Sequence, residues 1–149
     1  MQMSSFLPVI YAYVLSFAFA TVLLVYVVNL PARITGEPGL VNTFYGANFS
    51  SNLLFDLFFV SVYLAIAHYT IGYMGYRDLW KQLLVVALVV VAVSGSFCLY
   101  FTSRPQTSNF FSKWFHTVGA KAVVYDVALV GSMFYTYQYL LPIFQTGKL

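Results

Sequence analysis

Three residues with charged side chains, Asp56, Lys121 and Asp126, interrupt long apolar stretches of the 149-residue sequence. A charged side chain at the centre of a membrane-spanning helix costs about 2.5 to 3.5 kcal/mol on insertion scales, so each of these residues needs a partner or a function. A carboxylate at such a depth can hold a proton or a cation, and a carboxylate beside an ammonium forms an ion pair. The chemistry that these residues could perform is therefore proton or cation binding, or ion pairing, inside apolar segments.

Asp56 and Lys121 are predicted to lie at the same depth. At 1.5 Å of rise per residue, each lies about 5 Å inside the start of its apolar stretch, and both stretches are expected to run in the same direction. Because their charges are opposite, we predict an ion pair between Asp56 and Lys121 that joins two helices. In the alternative, the Lys121 side chain reaches the membrane surface and Asp56 accepts hydrogen bonds from free amides at the helix start.

Asp126 is predicted to lie deeper, about 12 Å from the same surface. It shares a helix face with two small residues, Gly119 and Ala122, where a neighbouring helix can approach closely. Tyr63 is expected at a similar depth on another helix and offers a hydroxyl donor. Two interpretations are open: a proton or cation site, or, as we favour, a carboxyl that hydroxyl groups satisfy and that fixes helix packing.

Motifs for catalysis or for cofactor and metal binding do not occur in the sequence. Two axial haem ligands must share one depth, but His68 is predicted about 22 Å inside the membrane and His116 at its surface. We expect His68 to be a hydrogen-bonded interior residue and His116 to be interfacial. The sequence contains no HExxH or CxxC motif, no Gly-rich phosphate loop and no activated serine. We therefore predict a protein that is not an enzyme, with no cofactor or metal, and its scattered Lys and Arg residues predict no nucleic-acid partner.

Four apolar stretches must position these residues, and each is long enough to cross a membrane. Hydrophobic residues make up 61% of the chain and charged residues 7%, and the mean hydropathy is +0.82. A small soluble domain cannot bury so much apolar surface, and a β-barrel would need shorter segments of alternating polarity. We predict a single all-α domain, a four-helix transmembrane bundle in the lipid bilayer with both termini on the same side. The predicted helices are residues 7–30, 53–76, 83–101 and 118–141.

Three connections join the predicted helices. Residues 31–52 form the longest and contain several Pro and Gly residues, which favour turns and loops. Residues 77–82 are predicted to form a tight charged turn. Residues 102–117 include a segment of aromatic residues around Lys113 that is typical of a membrane interface.

One segment, Phe110 to Val130, carries a resemblance to a known group of proteins. Its core reads Val118-Gly119-x-x-Ala122-x-x-Tyr125-Asp126-x-x-Leu129. This pattern resembles one in small multi-spanning membrane proteins of large double-stranded DNA viruses. The resemblance implies a minor structural component of an internal virion membrane, with other membrane or capsid proteins as partners. It also implies that Gly119, Tyr125 and Asp126 are helix-packing positions.

The sequence therefore favours a non-enzymatic structural protein of a membrane, with a viral internal membrane or a capsid–membrane assembly as its expected place. One alternative is a small proton- or ion-coupled transporter or channel that uses Asp126, with Asp56 and Lys121 as its gate. Another is a membrane anchor subunit of a redox complex. Access to Asp126 distinguishes the first two, since a transporter needs a path to this carboxyl and a structural protein would bury it against a hydroxyl.

Overall fold

The computed structural model describes residues 6–47 and 49–146, and this part of the chain is almost entirely helical, with no strand in it. Four of its segments are long and apolar enough to cross a membrane: Phe6–Val27, Asn52–Met74, Leu79–Thr102 and Ala120–Thr146. The prediction of an all-α four-helix bundle is confirmed. The α-helices are α1 (Phe6–Thr21), α2 (Leu30–Thr35), α3 (Pro38–Asn42), α4 (Phe49–Met74), α5 (Leu79–Thr102), α6 (Phe110–Val118) and α7 (Ala120–Thr146). Two π-helical segments, Val22–Val27 and Thr43–Ala47, follow α1 and α3.

Helix α7 lies at the centre of the bundle, with α1 and α5 packed against it. It runs antiparallel to α5. Ser94 of α5 donates a hydrogen bond to Asp126 near the start of α7, and Gln138 near the end of α7 donates to Gln82 at the start of α5. These two pairs fix the register of the two helices over most of their length.

Helices α1 and α4 complete the bundle. The Tyr11 ring lies 6.2 Å from the Phe144 ring, so α1 begins where α7 ends. The described chain thus starts and finishes at one end of the bundle, as predicted for the two termini. Helix α4 packs against α5, and its Ser61 hydroxyl lies 2.5 Å from the Tyr13 hydroxyl of α1.

Most of the observed helix ends differ from the predicted ones, and those at the starts of α4 and α5 and at the end of α7 are among the largest differences. Residues 79–82, predicted as a turn, form the first turn of α5, because the Asp78 carboxylate accepts a hydrogen bond from the Lys81 amide and caps the helix. Helix α7 continues past Pro142 to Thr146. A proline inside a helix removes one backbone hydrogen bond and crowds the carbonyl four residues earlier. Membrane helices tolerate proline because neighbouring helices and side chains can satisfy the freed carbonyl.

The described residues of the connection predicted for residues 31–52, which are 31–47 and 49–52, pack as part of the bundle. Asn29 adopts a positive φ of 53° and ends the first span, and α2 and α3 follow. Val41, Phe44 and Tyr45 are each only 6% exposed. The chain therefore turns back after α3 and inserts apolar and aromatic side chains among the spanning helices.

A stripe of small residues joins α1 to the centre of the bundle. Ala12, Ser16 and Ala20 follow one another at intervals of four residues and are completely buried. Small side chains at this spacing allow two membrane helices to approach closely. The Ser16 hydroxyl is buried without a hydrogen-bond partner in the described part of the protein.

Two substitutions of Ser16 are expected to have different effects. Ser16→Leu forces a large side chain into a close-packed contact and should lower the free energy of unfolding by about 1 to 3 kcal/mol. Ser16→Ala removes a hydroxyl that makes no hydrogen bond, so we expect it to be neutral or slightly stabilising. Unfolding by denaturing detergent, followed by circular dichroism, measures both. An equal decrease in the free energy of unfolding for the two variants would contradict close packing at Ser16.

Candidate functional site

A cavity of about 140 Å³ lies between α4, α5, α6 and α7 and is closed on one side by the segment Thr43–Ala47. It reaches both carboxyls that lie within membrane spans. Eleven of its sixteen lining residues are aromatic. The lining consists of Phe44, Tyr45, Asp56, Phe59, Val60, Tyr63, Phe97, Phe101, Phe110, Phe111, Trp114, Phe115, Tyr125, Asp126, Leu129 and Val130.

The mouth of the cavity faces the side of the bundle. Phe97 of α5 is 37% exposed, and Phe59, Phe101, Phe110 and Phe111 are half-buried. These residues come from α4, α5 and α6, whereas most of the lining contributed by α7 is buried. The opening is therefore lateral, towards the surface that a spanning helix presents to lipid.

Tyr45 connects the turned-back segment to two spanning helices. Its hydroxyl donates to Asp56 Oδ2 at 2.8 Å and lies 2.7 Å from the Tyr125 hydroxyl. Burial raises the pKa of the Tyr45 phenol well above its usual value, so this hydroxyl keeps its proton. Since the Tyr45 proton goes to Asp56, the Tyr125 hydroxyl is the donor to Tyr45. The Tyr26 hydroxyl fixes the segment by donating to the Tyr45 carbonyl at 3.0 Å.

Asp126 also lines the cavity, and Ser94 Oγ donates to its Oδ2 at 2.5 Å. This bond joins α5 to α7. Tyr63, predicted as the donor to Asp126, is buried and lines the same cavity. The hydroxyl that caps Asp126 thus comes from α5, while Tyr63 contributes a wall.

The predicted Asp56–Lys121 ion pair is not formed, although the structure describes both residues. Lys121 is exposed in the first turn of α7, where its Nζ donates to the Thr35 carbonyl at 3.2 Å. Asp56 has Tyr45 as its partner instead. Counting depth along straight helices did not account for the segment Thr43–Ala47, which turns back and supplies the partner for Asp56.

The three remaining packing positions have different roles. Ala122 is buried in the core, and Tyr125 bonds to Tyr45, so both make contacts between elements. Gly119 does not pack closely, since a Cβ atom built there would meet nothing within 4 Å. Its φ of 60° and ψ of −139° instead separate α6 from α7. The interpretation of Gly119 as a close-packing residue is therefore wrong, and its role is conformational.

Gly119→Ala is expected to lower the free energy of unfolding by about 1 to 3 kcal/mol, because an L side chain rarely adopts this backbone conformation. Gly131→Ala is the matched control. Gly131 lies within α7 and also has open space around it, so alanine there should be neutral or stabilising by up to about 1 kcal/mol. Detergent unfolding measures both variants, and a neutral Gly119→Ala would contradict the conformational role.

The two histidines lie in different surroundings. His116 Nδ1 lies 2.8 Å from the Ser112 carbonyl and Nε2 3.0 Å from the Arg104 carbonyl, so this ring ties α6 to the preceding connection. His68 is exposed on α4 beside Phe134, so the expectation of a hydrogen-bonded interior residue is wrong. Within residues 6–47 and 49–146, no group of three or more His, Cys, Asp or Glu side chains is placed to hold a metal ion.

Tyr45 and Ser94 are site residues that the sequence analysis did not identify. Ser94 belongs to a small-residue segment of α5, Ser94-Gly95-Ser96. A serine hydroxyl inside a membrane helix can donate a hydrogen bond to an acid on a neighbouring helix. Tyr45 lies in a connection rich in Gly and Pro. The adjacent aromatic pair Phe44-Tyr45 is the one signal there that indicates burial.

No protein-family model, curated protein or solved structure matches this chain. The resemblance of residues 110–130 to membrane proteins of large DNA viruses stays a prediction. The fold defines an all-α multi-pass membrane protein with a cavity between its spanning helices.

Proposed function

We propose that this protein is a non-enzymatic membrane protein that binds a small molecule between its spanning helices, as carriers and channels do. The observation that supports this most directly is the cavity of about 140 Å³ that reaches Asp56 and Asp126. Ligand sites in helical bundles lie between helices and combine apolar walls with a few polar groups. A purely structural bundle gains nothing from such a space, because unfilled volume lowers stability.

The position and size of the cavity support entry of the ligand from the membrane. Its mouth is lateral and lined by phenylalanine rings, so the apolar group of a molecule that partitions into the bilayer meets no charged residue on the way in. Its volume is close to the roughly 150 Å³ of an apolar cavity that holds benzene. The proposed ligand is therefore about as large as a single ring.

A structural role in a membrane assembly, such as that of a virion, is the second candidate. It is favoured by the hydroxyl partners of the two acids, since Tyr45 and Ser94 join different elements through Asp56 and Asp126. In this role the acids would fix helix register, and the partners would be other membrane or capsid proteins. The two candidates differ in whether the cavity takes up a ligand.

The test uses the two tryptophans of the chain as reporters. Trp114 lines the cavity, whereas Trp80 is 75% exposed at the start of α5. In lipid nanodiscs, the Trp80→Phe variant reports on Trp114 and the Trp114→Phe variant reports on Trp80. Each is titrated with three single-ring probes: bromobenzene, 4-bromobenzylammonium and 4-bromobenzoate. Bromine quenches indole fluorescence on contact, so a bound probe gives saturable quenching of Trp114 and only linear quenching of Trp80.

A cavity-filling variant completes the experiment. Val130→Phe, with Val60→Phe as a second choice if it fails to fold, should abolish the saturable quenching of Trp114 because both valines are buried lining residues. Linear quenching of Trp114 by all three probes would contradict the proposal and favour the structural candidate. Copurification of the native protein with capsid proteins would then support a virion role.

A further inference from the structure

Three of the hydroxyl groups around the two acids have no proton left to offer a ligand, although the Tyr63 hydroxyl and the Trp114 indole N–H also line the cavity. Ser94 donates its proton to Asp126. Tyr45 donates to Asp56, which leaves Tyr125 as the donor to Tyr45. These three protons are therefore used within the protein.

The free hydrogen-bonding capacity of the two acids consists of acceptors. Asp56 and Asp126 each use Oδ2 in the bonds above, and neither Oδ1 has a hydrogen bond to a residue in the described part of the chain. Among the residues that the structure describes, no Lys, Arg or His lines the cavity, and the Lys121 ammonium donates to a carbonyl outside it. A ligand that satisfies the two carboxyls brings hydrogen-bond donors and a positive charge.

The aromatic walls indicate which kind of cation fits. Ring faces attract cations within about 6 Å of their centroids, and several rings around a carboxylate suit an organic ammonium. A metal ion such as Ca²⁺ needs six or more oxygen ligands, but eleven of the sixteen lining residues are aromatic and two carry carboxyls. The volume of about 140 Å³ leaves room for one ring-sized apolar group.

We infer that the cavity binds a small organic ammonium that carries one ring-sized apolar group, an inference that rests on the proposed function above. The ammonium lies at the free oxygens of Asp56 and Asp126. The apolar group lies among the rings that α5 and α6 supply, on the side of the mouth.

The same fluorescence assay tests this inference on the protein with its natural acids. In the Trp80→Phe background, 4-bromobenzylammonium should quench Trp114 with a dissociation constant at least about tenfold lower than that of bromobenzene, 4-bromobenzyl alcohol or 4-bromobenzoate. Methylammonium, which has the charge without the ring, should displace it only at concentrations at least about tenfold higher than benzylammonium needs.

Two charge-removing variants show whether the cavity carboxyls are responsible. Asp126→Asn and Asp56→Asn should each raise the dissociation constant of 4-bromobenzylammonium about tenfold or more and leave that of bromobenzene unchanged. Glu37→Gln is the matched control, because Glu37 is an acid outside the cavity and should have no effect.

The outcomes separate the two proposals. Saturable quenching by bromobenzene or 4-bromobenzyl alcohol that is as strong as by the ammonium would overturn the inference and leave the proposed function standing. An unchanged dissociation constant of 4-bromobenzylammonium for both Asn variants would likewise overturn the inference and leave the proposed function standing. Linear quenching by every probe would overturn both proposals. The comparison of probes uses one folded protein, so it decides the matter even if an Asn variant fails to fold.

Discussion

Tyr45→Phe should lower the free energy of unfolding by about 2 to 5 kcal/mol, the largest loss expected from removing one hydroxyl in this protein. The Tyr45 hydroxyl serves both Asp56 and Tyr125. Its removal leaves two buried polar groups without their partner, and each unsatisfied group costs about 1 to 3 kcal/mol, or more if it is charged. Unfolding by denaturing detergent, monitored by circular dichroism, measures the loss.

Tyr26→Phe is the matched control for this prediction. The Tyr26 hydroxyl makes one hydrogen bond, to the Tyr45 carbonyl, from a side chain that is 53% exposed. Its removal should cost less than about 1 kcal/mol, since water or lipid headgroups can replace an exposed partner. Adding Asp56→Leu to Tyr45→Phe removes the unpaired acid and should recover part of the loss. Similar losses for Tyr45→Phe and Tyr26→Phe would show that the Tyr45 hydroxyl does not hold the turned-back segment.

The four spans could be predicted from the sequence because lipid leaves the backbone few alternatives. A segment in the bilayer must satisfy its own amides and carbonyls, so a long apolar run is a helix whatever it packs against. The ends of the helices depend on single residues instead. Asp78 starts α5 within a charged segment that resembles a turn, and Gly119 separates α6 from α7 through its positive φ. Hydropathy alone contains neither of these signals.

The site was predicted less completely than the spans. Asp56 and Asp126 were identified because acids are costly in apolar segments, and the prediction of hydroxyl partners for Asp126 agrees with its bond to Ser94. The partner of Asp56 could not be predicted by comparing depths along spanning helices. It comes from Tyr45, in a connection whose Gly and Pro content indicated a loop, and its return into the bundle depends on tertiary packing.

The cavity itself could not be predicted, since part of its lining comes from α6, and the packing of α6 against the spanning helices is a tertiary feature. The aromatic residues of α6 looked interfacial in the sequence, which accounts for such residues at a membrane surface. In the structure, Trp114 and Phe115 are buried and line the same cavity as the two acids. Aromatic residues of this kind can lie at a membrane interface or line a binding site. Here the positive φ of Gly119 separates α6 from α7, and the aromatic residues of α6 line the cavity.

Ser94→Ala is the second substitution with a large expected effect, because it leaves the Asp126 carboxyl without its donor. We expect a loss of about 1.5 to 3 kcal/mol, the range for hydrogen bonds to a charged group. Hydrogen bonds between membrane helices average only about 0.6 kcal/mol in double-mutant cycles. The size of the loss therefore reports whether the carboxyl acts as a strong acceptor between α5 and α7.

Ser96→Ala, two residues further along α5, is the control. The Ser96 hydroxyl is exposed and donates to the Ala92 carbonyl of its own helix at 2.6 Å, so its removal should change stability by less than about 0.5 kcal/mol. In an Asp126→Leu background, Ser94→Ala should have almost no effect, because the acceptor is gone. A coupling near zero between Ser94 and Asp126 would show that the carboxyl is not fixed by α5. Asp126 would then be free to bind the ammonium of a ligand with both of its oxygens.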